Sequence, residues 1–352
     1  MPVSLLPADY AGDTALRSPI GAMFSSLSGG PRQARVAVAL SGGADSAMLA
    51  VHAALALREV PGVALHCFHI HHGLQQTADD WCAHAHRLAW GLGLPCHSLR
   101  VQVQARSGKG EEAAAREARY QGLARLARQQ GVSHILLAHH LNDQAETVLM
   151  RLLRGAGPTG LAAMAANSER DGLNYLRPWL DIERSRILAA ADDYAARTGW
   201  APVQDPTNID DAYTRGAVRR RLAPVLDERW PAWRTILARH AHQARELDDL
   251  LSDVAAEDFA RLDAGTEKTD FSLAAWRALS APRRVMVLRY WLRLHGLRAP
   301  TAARMRELCR QLDGVHALGH DRNLRLRHEQ HLICCVRGRV KLLPLNDNQE
   351  TL

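Results

Sequence analysis

From Val36 onward, short apolar runs alternate with amphipathic helical stretches. Val36-Ala37-Val38-Ala39-Leu40 is wholly apolar, as in a strand buried on both faces. A glycine-containing turn and a helical run from Ser46 to Arg58 follow it. Leu65–Ile70, His97–Val101 and Ile135–Ala138 read as further strands, and Thr77–Leu92, Glu111–Gln130 and Asp143–Arg154 as helices. Alternation at this spacing predicts an α/β domain, a doubly wound, mostly parallel sheet with helices on both faces. The rhythm stops after Gly155-Ala156-Gly157-Pro158-Thr159-Gly160. A connector with Arg177-Pro178-Trp179 and a helix near Ile182–Thr198 complete the domain. Arg219 to Leu262 then reads as nearly all helix, interrupted near Pro224 and Pro231, and Asn323–Leu345 as a terminal β-hairpin. The expected division is an N-terminal tail over 1–32 with one short helix, an α/β domain over 33–221, and a second, mainly helical domain over 222–352.

Composition removes several classes. Apolar residues make up 47% of the 352 and charged residues 23%, which excludes wholesale disorder. The longest apolar stretch, Ala47–Leu57 with His52 inside it, falls short of the roughly 20 residues of a membrane span. Met1-Pro2-Val3-Ser4 does not open a secretory leader, so a cytoplasmic location with no membrane partner is expected. None of the six cysteines forms a C-x-x-C pair; they read as buried thiols rather than a disulfide framework or metal ligands. The net charge of +7 favours a polyanionic partner only slightly.

The turn after the first strand, Ser41-Gly42-Gly43-Ala44-Asp45-Ser46, has the makings of a phosphate cradle. Its glycines let backbone N–H groups approach an anion, the following helix start attracts it, and Ser41 and Ser46 add hydroxyls. Asp45 would repel phosphate unless it holds Mg²⁺ against it. A plain capped turn has the same composition. The position, however, is the carboxyl edge of the first strand, where doubly wound sheets bind ligands. The lysine of G-x-x-x-x-G-K-[ST] is missing, which disfavours a kinase-like or GTPase-like loop. Asp143 and Glu146 share one helix face at the same sheet edge. A helix start welcomes negative charge in any protein, so that pair alone leaves its role open.

S-G-G-x-D-S after a buried strand resembles the PP-loop ATP pyrophosphatases, which cleave ATP between the α and β phosphates and adenylate an oxygen of their substrate. Further segments resemble one family among them, the tRNA(Ile)-lysidine synthetases. These are His69-Ile70-His71-His72-Gly73-Leu74, Glu112-Ala113-Ala114-Ala115-Arg116 with Arg119-Tyr120, and Ala138-His139-His140-Leu141-Asn142-Asp143-Gln144-Ala145-Glu146-Thr147. Arg154-Gly155-Ala156-Gly157-Pro158-Thr159-Gly160-Leu161, Arg177-Pro178, and Asp205-Pro206-Thr207-Asn208 followed by Arg215, Arg219 and Arg221 continue the series in order.

The resemblance implies a ligase using ATP and Mg²⁺. Its partners would be free L-lysine and the isoleucine tRNA with a CAU anticodon, whose wobble cytidine becomes lysidine through an adenylated intermediate. It implies ATP contacts at Ser41, Gly42, Gly43, Ala44, Asp45, Ser46, His69, His71 and Gly155, with Asp45 as metal ligand. Glu112, Asp143 and Glu146 would bind lysine, and Arg116, Arg119, Arg154, Arg215, Arg219 and Arg221 the tRNA; Asp45, Asp143 and Glu146 would be catalytic. Asn142 stands where the family has the first of two aspartates, which moves the expected base role to Asp143. Gly216 stands where the family often has Asn. Longer members carry a further C-terminal domain, for which this chain is expected to be too short. The crowded histidines, His69, His71, His72, His139 and His140, would line the nucleotide pocket or act as scaffold, since their spacing specifies no full zinc site. For the basic cluster Arg283, Arg284, Arg289, Arg293 and Arg298, RNA contact and plain surface charge stay equally open. A homodimer is also left open. The rivals are a PP-loop tRNA thiolase, which should need reactive cysteines, and, less favoured, a small-molecule amide synthetase or a non-enzymatic tRNA-binding relic.

Overall fold

The computed structural model describes residues 5–30, 33–60, 62–71, 73, 78–103, 111–203, 214–315 and 324–345, without the side chains of Glu111 and Glu112. The chain forms two compact units, Met1–Ala244 and Arg245–Leu352. The division falls within one helix rather than near Arg221, where breaks in periodicity suggest it.

The first unit is built on six strands: β1 (Ala34–Ala39), β2 (Val63–His71), β3 (Cys96–Arg100), β4 (His134–Leu136), β5 (Asn167–Arg170) and β6 (Leu173–Leu176). Their order is β3-β2-β1-β4-β6-β5, and every neighbouring pair is parallel except β5 with β6. Around them lie α1 (Thr14–Leu27), α2 (Ala44–Glu59), α3 (Ala78–Gly91), α4 (Glu111–Gln130), α5 (Leu141–Leu153), α6 (Pro158–Leu161) and α7 (Arg184–Thr198). Val36 and Val38 enter a core shared with α1, α2, α3 and α7, while Ala37 between them enters the core shared with α4. Alternate side chains of one strand thus serve opposite faces, which is why the strand reads as an unbroken apolar run.

Two segments differ from expectation. The N-terminal stretch carries α1, whose Leu16, Ile20 and Phe24 are fully buried at four-residue spacing. Asp13 caps α1 through the Ala15 N–H (2.8 Å) and pairs with Arg186 of α7 (2.6 Å). The connector before Arg177 holds the β5–β6 hairpin. Its turn is Asp171-Gly172, with φ of 55° and 74°, the two-residue geometry that Asp-Gly supports.

After α7 the chain enters α8 (Thr214–Ala217), a π-turn (Val218–Leu222), α9 (Ala223–Arg229) and α10 (Trp233–Ala260). Ala223 and Trp233 share a small core with Ala145 of α5, flanked by Leu149, Leu226 and Leu237.

The second unit contains β7 (Asp270–Ser272), α11 (Leu273–Ala278), α12 (Ala281–Leu294), α13 (Ala302–Gly314), β8 (Arg325–His328), β9 (His331–Val336) and β10 (Arg339–Pro344). The expected hairpin is larger than its pattern shows. It forms a four-stranded antiparallel sheet ordered β7-β10-β9-β8, because β7 joins from a distant part of the sequence. One sheet face packs Phe271, Ile333, Cys335, Val340 and Leu342 against Trp276, Leu288 and Trp291 of the helices.

Candidate active site

The turn between β1 and α2 wraps around Ser46. The Ser46 Oγ accepts from the Ser41 N–H (3.1 Å), lies 2.9 Å from the Ser41 Oγ, and donates to the Gly43 carbonyl (3.1 Å). Gly42 has φ of +96°, a conformation that side-chain-bearing residues rarely adopt. The Val203 N–H donates to the Gly42 carbonyl (3.0 Å), tying the chain after α7 to the loop. Gly43 caps α2 without a side-chain acceptor, so the helix's first N–H groups stay directed at the space before them.

That space is a cleft of about 1310 Å³ at the carboxyl edge of the sheet. Ser41, Gly43, Ala44, Asp45 and Ser46 line it together with His69, His71, His139, Asn142, Glu146, Arg119, Arg184 and Arg219. His69 donates from Nδ1 to the Leu40 carbonyl (2.8 Å), leaving Nε2 as an acceptor, and burial holds its pKa below the ordinary histidine value. Burial lowers the neighbouring His139 to about 3, so it is neutral at pH 7.

The far wall is a chain of charges. Asp45 Oδ1 meets the Arg184 Nε (3.3 Å), and its Oδ2 lies 3.9 Å from the His140 Nε2. His140 and Asp143 cap α5 reciprocally, each side chain accepting the other's backbone N–H. Arg219 then forks across two carboxylates. Its Nε donates to Glu146 Oε1 (2.8 Å) and its NH2 to Glu146 Oε2 and Asp143 Oδ1 (3.0 Å each). Arg215 adds a bond to Thr147 Oγ1 (2.9 Å) and an approach to Glu146 at 3.4 Å. Burial pushes Asp143 up, but His140, His139, Arg215 and Arg219 together pull it below the carboxylate range. Burial likewise works against the Arg219 charge, yet Glu146 and Asp143 hold its pKa above the usual arginine value.

The structure thus brings the phosphate loop, His69, His71, Glu146, Arg119 and Arg219 into one cleft, with Asp143 and Arg215 directly behind. Gly155 (φ +75°) and Arg154 are exposed after α5, Arg221 is exposed on the π-turn, and Arg116 lies against the Tyr120 ring; none lines the cleft. His72, Asp205-Pro206-Thr207-Asn208 and the Glu112 side chain lie outside the described residues. Sequence reasoning misses Arg184 and the bridging role of His140. For Arg184 no motif marks it; for His140 the signal is its place about one turn ahead of Asp143 and two ahead of Glu146. Asn142 has a clear job, accepting the Arg184 N–H at the start of α7 (3.1 Å).

A family model described as a PP-loop domain matches residues 16–226, and a second, described as the TilS substrate binding domain, matches residues 271–340. A curated tRNA(Ile)-lysidine synthase from Bordetella bronchiseptica is 57% identical over 326 residues, covering 93% of this chain and 94% of the relative. The chain belongs to the tRNA(Ile)-lysidine synthase family. The relative of the same name from Bordetella pertussis is 58% identical, over 88% of this chain and 96% of its own. In fold, the chain is similar to the U34-tRNA thiolase NcsA from Methanococcus maripaludis (TM-score 0.53, 16% identity, 68% of this chain and 86% of that one). The family's PP-loop domain accounts for ATP as the nucleotide used. Burial raises Cys67 far above the thiol range and Cys96 to about 12, and none of the six is joined in a disulfide. No described helix is long and apolar enough to cross a membrane.

Proposed function

We propose that this chain joins free L-lysine to C2 of the wobble cytidine of isoleucine tRNA with a CAU anticodon. The cytidine O2 attacks the α-phosphorus of ATP and pyrophosphate leaves. The lysine ε-amine then attacks C2, sheds its proton, and expels AMP through the C2–O2 bond. The observation that carries this reading is the meeting of an open phosphate loop and Glu146 in one cleft, with the buried Asp143 directly behind, in a chain of this family. The loop's N–H groups and Ser41 would hold the departing pyrophosphate. His69 Nε2 offers an acceptor to the exocyclic amine of a nucleotide.

Asp45 suits Mg²⁺ of the substrate-bridging kind. No described group of three His, Cys, Asp or Glu could hold a metal, whereas one half-buried carboxylate beside the phosphate loop needs only substrate oxygens to complete a site. Bound there, the ion would neutralise phosphate charge. Asp143 and Glu146 fit an alkylammonium; Asp143, held ionised by its depressed pKa, can hold that cation, and the pair can accept the proton that must leave the nitrogen before it attacks C2. Arg219 occupies those carboxylates in this structure, so lysine enters only when the guanidinium transfers to another anion, such as an RNA phosphate. Incorporation of radiolabelled lysine into that tRNA, dependent on ATP, tests the proposal; label transferred only from a sulfur donor would favour the thiolase instead.

A further inference from the structure

Cleavage of ATP between the α and β phosphates leaves the electron pair of the broken bond on an oxygen of the β-phosphate. That growing charge calls for a cation in the site. The loop from Ser41 to Ser46 contains none, since its donors are N–H groups and hydroxyls. Five arginines line the cleft: Arg119, Arg184, Arg219, Arg220 and Arg234. Arg219 is engaged by Glu146 and Asp143, and Arg234 by Asp227. Arg119 lies near the Tyr120 ring, and Arg220 is exposed on the π-turn. Arg184 alone among the five makes a described hydrogen bond to a loop residue, from Nε to Asp45 Oδ1 (3.3 Å).

The two ends of Arg184 are held differently. Its backbone is stitched to the start of α5: Asn142 Oδ1 accepts the Arg184 N–H (3.1 Å), and the Leu141 N–H donates to the Ile182 carbonyl (2.9 Å). The side chain is 37% exposed, and among the described residues Asp45 is its only hydrogen-bond partner. A long arm thus turns about a fixed base. Asp45 is also the carboxylate suited to Mg²⁺, and it cannot hold a divalent cation and this guanidinium together without crowding like charges. Phosphates at the loop offer the guanidinium a partner of higher charge whose oxygens match its planar fork.

We propose that Arg184 is the pyrophosphate-binding cation of this site. Its guanidinium leaves Asp45 for the β- and γ-phosphates of bound ATP and keeps hold of pyrophosphate as the α-phosphorus bond breaks. The proposal rests on the adenylation step of the lysidine reading, and it goes further by assigning the residue that takes up the leaving group's charge.

The test is isothermal titration calorimetry of the full chain with inorganic pyrophosphate in the presence of magnesium, with AMP as the control ligand. Losing a charged donor to an anion weakens binding by about 10–100-fold. Arg184→Gln should therefore weaken pyrophosphate by that factor and leave AMP, which has no β- or γ-phosphate, unchanged. Unchanged AMP binding also shows that the variant is folded. Arg184→Lys keeps the charge without the fork and should recover part of the loss. In ATP–pyrophosphate exchange with isoleucine tRNA, kcat of the glutamine variant should fall about 100-fold. A guanidinium that only neutralises Asp45 in the empty protein gives the opposite result. Its removal frees the carboxylate, and pyrophosphate binds with magnesium as well as before or more tightly. That outcome overturns the proposal, as do equal losses for pyrophosphate and AMP, or a parent chain that binds no pyrophosphate. Neither titration uses tRNA or lysine. A chain that fails to incorporate lysine therefore defeats the lysidine reading, while the titrations still decide the role of Arg184.

Discussion

Replacing Arg219 with alanine removes one guanidinium from between two buried carboxylates. Glu146 and Asp143 are 5% and 8% exposed, and Arg219 gives them three of their hydrogen bonds at 2.8–3.0 Å. Stripping one partner from a buried ion pair costs about 3–5 kcal/mol, because the remaining charge stays desolvated. Arg215 remains at 3.4 Å from Glu146, and His140 still caps with Asp143, so the lower end, about 3 kcal/mol at pH 7.5, is expected here. The sign with pH follows. Asp143 has a depressed pKa in the parent, so its contribution is present above the unfolded carboxylate value and is lost as pH falls through the folded one. Without Arg219 that value rises, and a proton can relieve the repulsion, so the gap between variant and parent should narrow towards pH 5. Equilibrium urea unfolding at both pH values measures this. Free lysine should also stabilise the variant more than the parent, since its ammonium meets no competing guanidinium. A variant as stable as the parent at pH 7.5, or equally destabilised at both pH values, refutes the argument.

Asp45→Ala should retain its far-ultraviolet circular dichroism but lose ATP–pyrophosphate exchange by roughly 100-fold or more; retained exchange removes the metal assignment. Glu146→Gln should spare adenylation and raise the KM for lysine about tenfold or more, read in the incorporation assay. His139 is neutral when folded, with its pKa lowered to about 3. Protonation of the unfolded chain below about 6.5 therefore drains stability down to that value, and His139→Gln should flatten the loss over roughly pH 6.5–4 in thermal melts. Gly12 has φ of +64°, and a Cβ there would sit 2.6 Å from Leu55 Cδ1 and 3.0 Å from His52 Nε2. Gly12→Ala should thus cost about 2–4 kcal/mol from backbone strain and overpacking together, measured by urea unfolding.

How far the sequence reveals this molecule depends on the range of the interactions involved. The β1–α2 loop is legible because strand, turn and helix start are neighbours in the chain. The β5–β6 hairpin escapes notice although Asp171-Gly172 is a strong local turn signal, since its four-residue strands are too short to show alternation. The sheet of the second unit stays hidden because β7 joins β10 across some seventy residues. At the site, Asp143 and Glu146 stand out by helical spacing. Their neutralisation by Arg219, 73 residues from Glu146, and the pairing of Asp45 with Arg184, 139 residues away, leave no local mark. In the basic cluster weighed from sequence at Arg283 to Arg298, Arg283, Arg284 and Arg293 are taken up by Asp258, Asp313 and Asp248.

The π-turn at Val218–Leu222 has a bearing on how this segment can vary. Hydrogen bonds that span one residue more than in an α-helix accommodate an extra residue in the winding, and one residue is worth about 100° of helical rotation. The inserted step sets the two flanks out of phase. Arg215 and Arg219 can face the carboxylates of α5 while Ala223 and Trp233 pack beside Ala145. Deleting any single residue between 218 and 222 would rewind the stretch and turn one of those two groups away from α5. The length of this short stretch is therefore as much a requirement as its side chains, and drift there should proceed by substitution rather than by insertion or deletion.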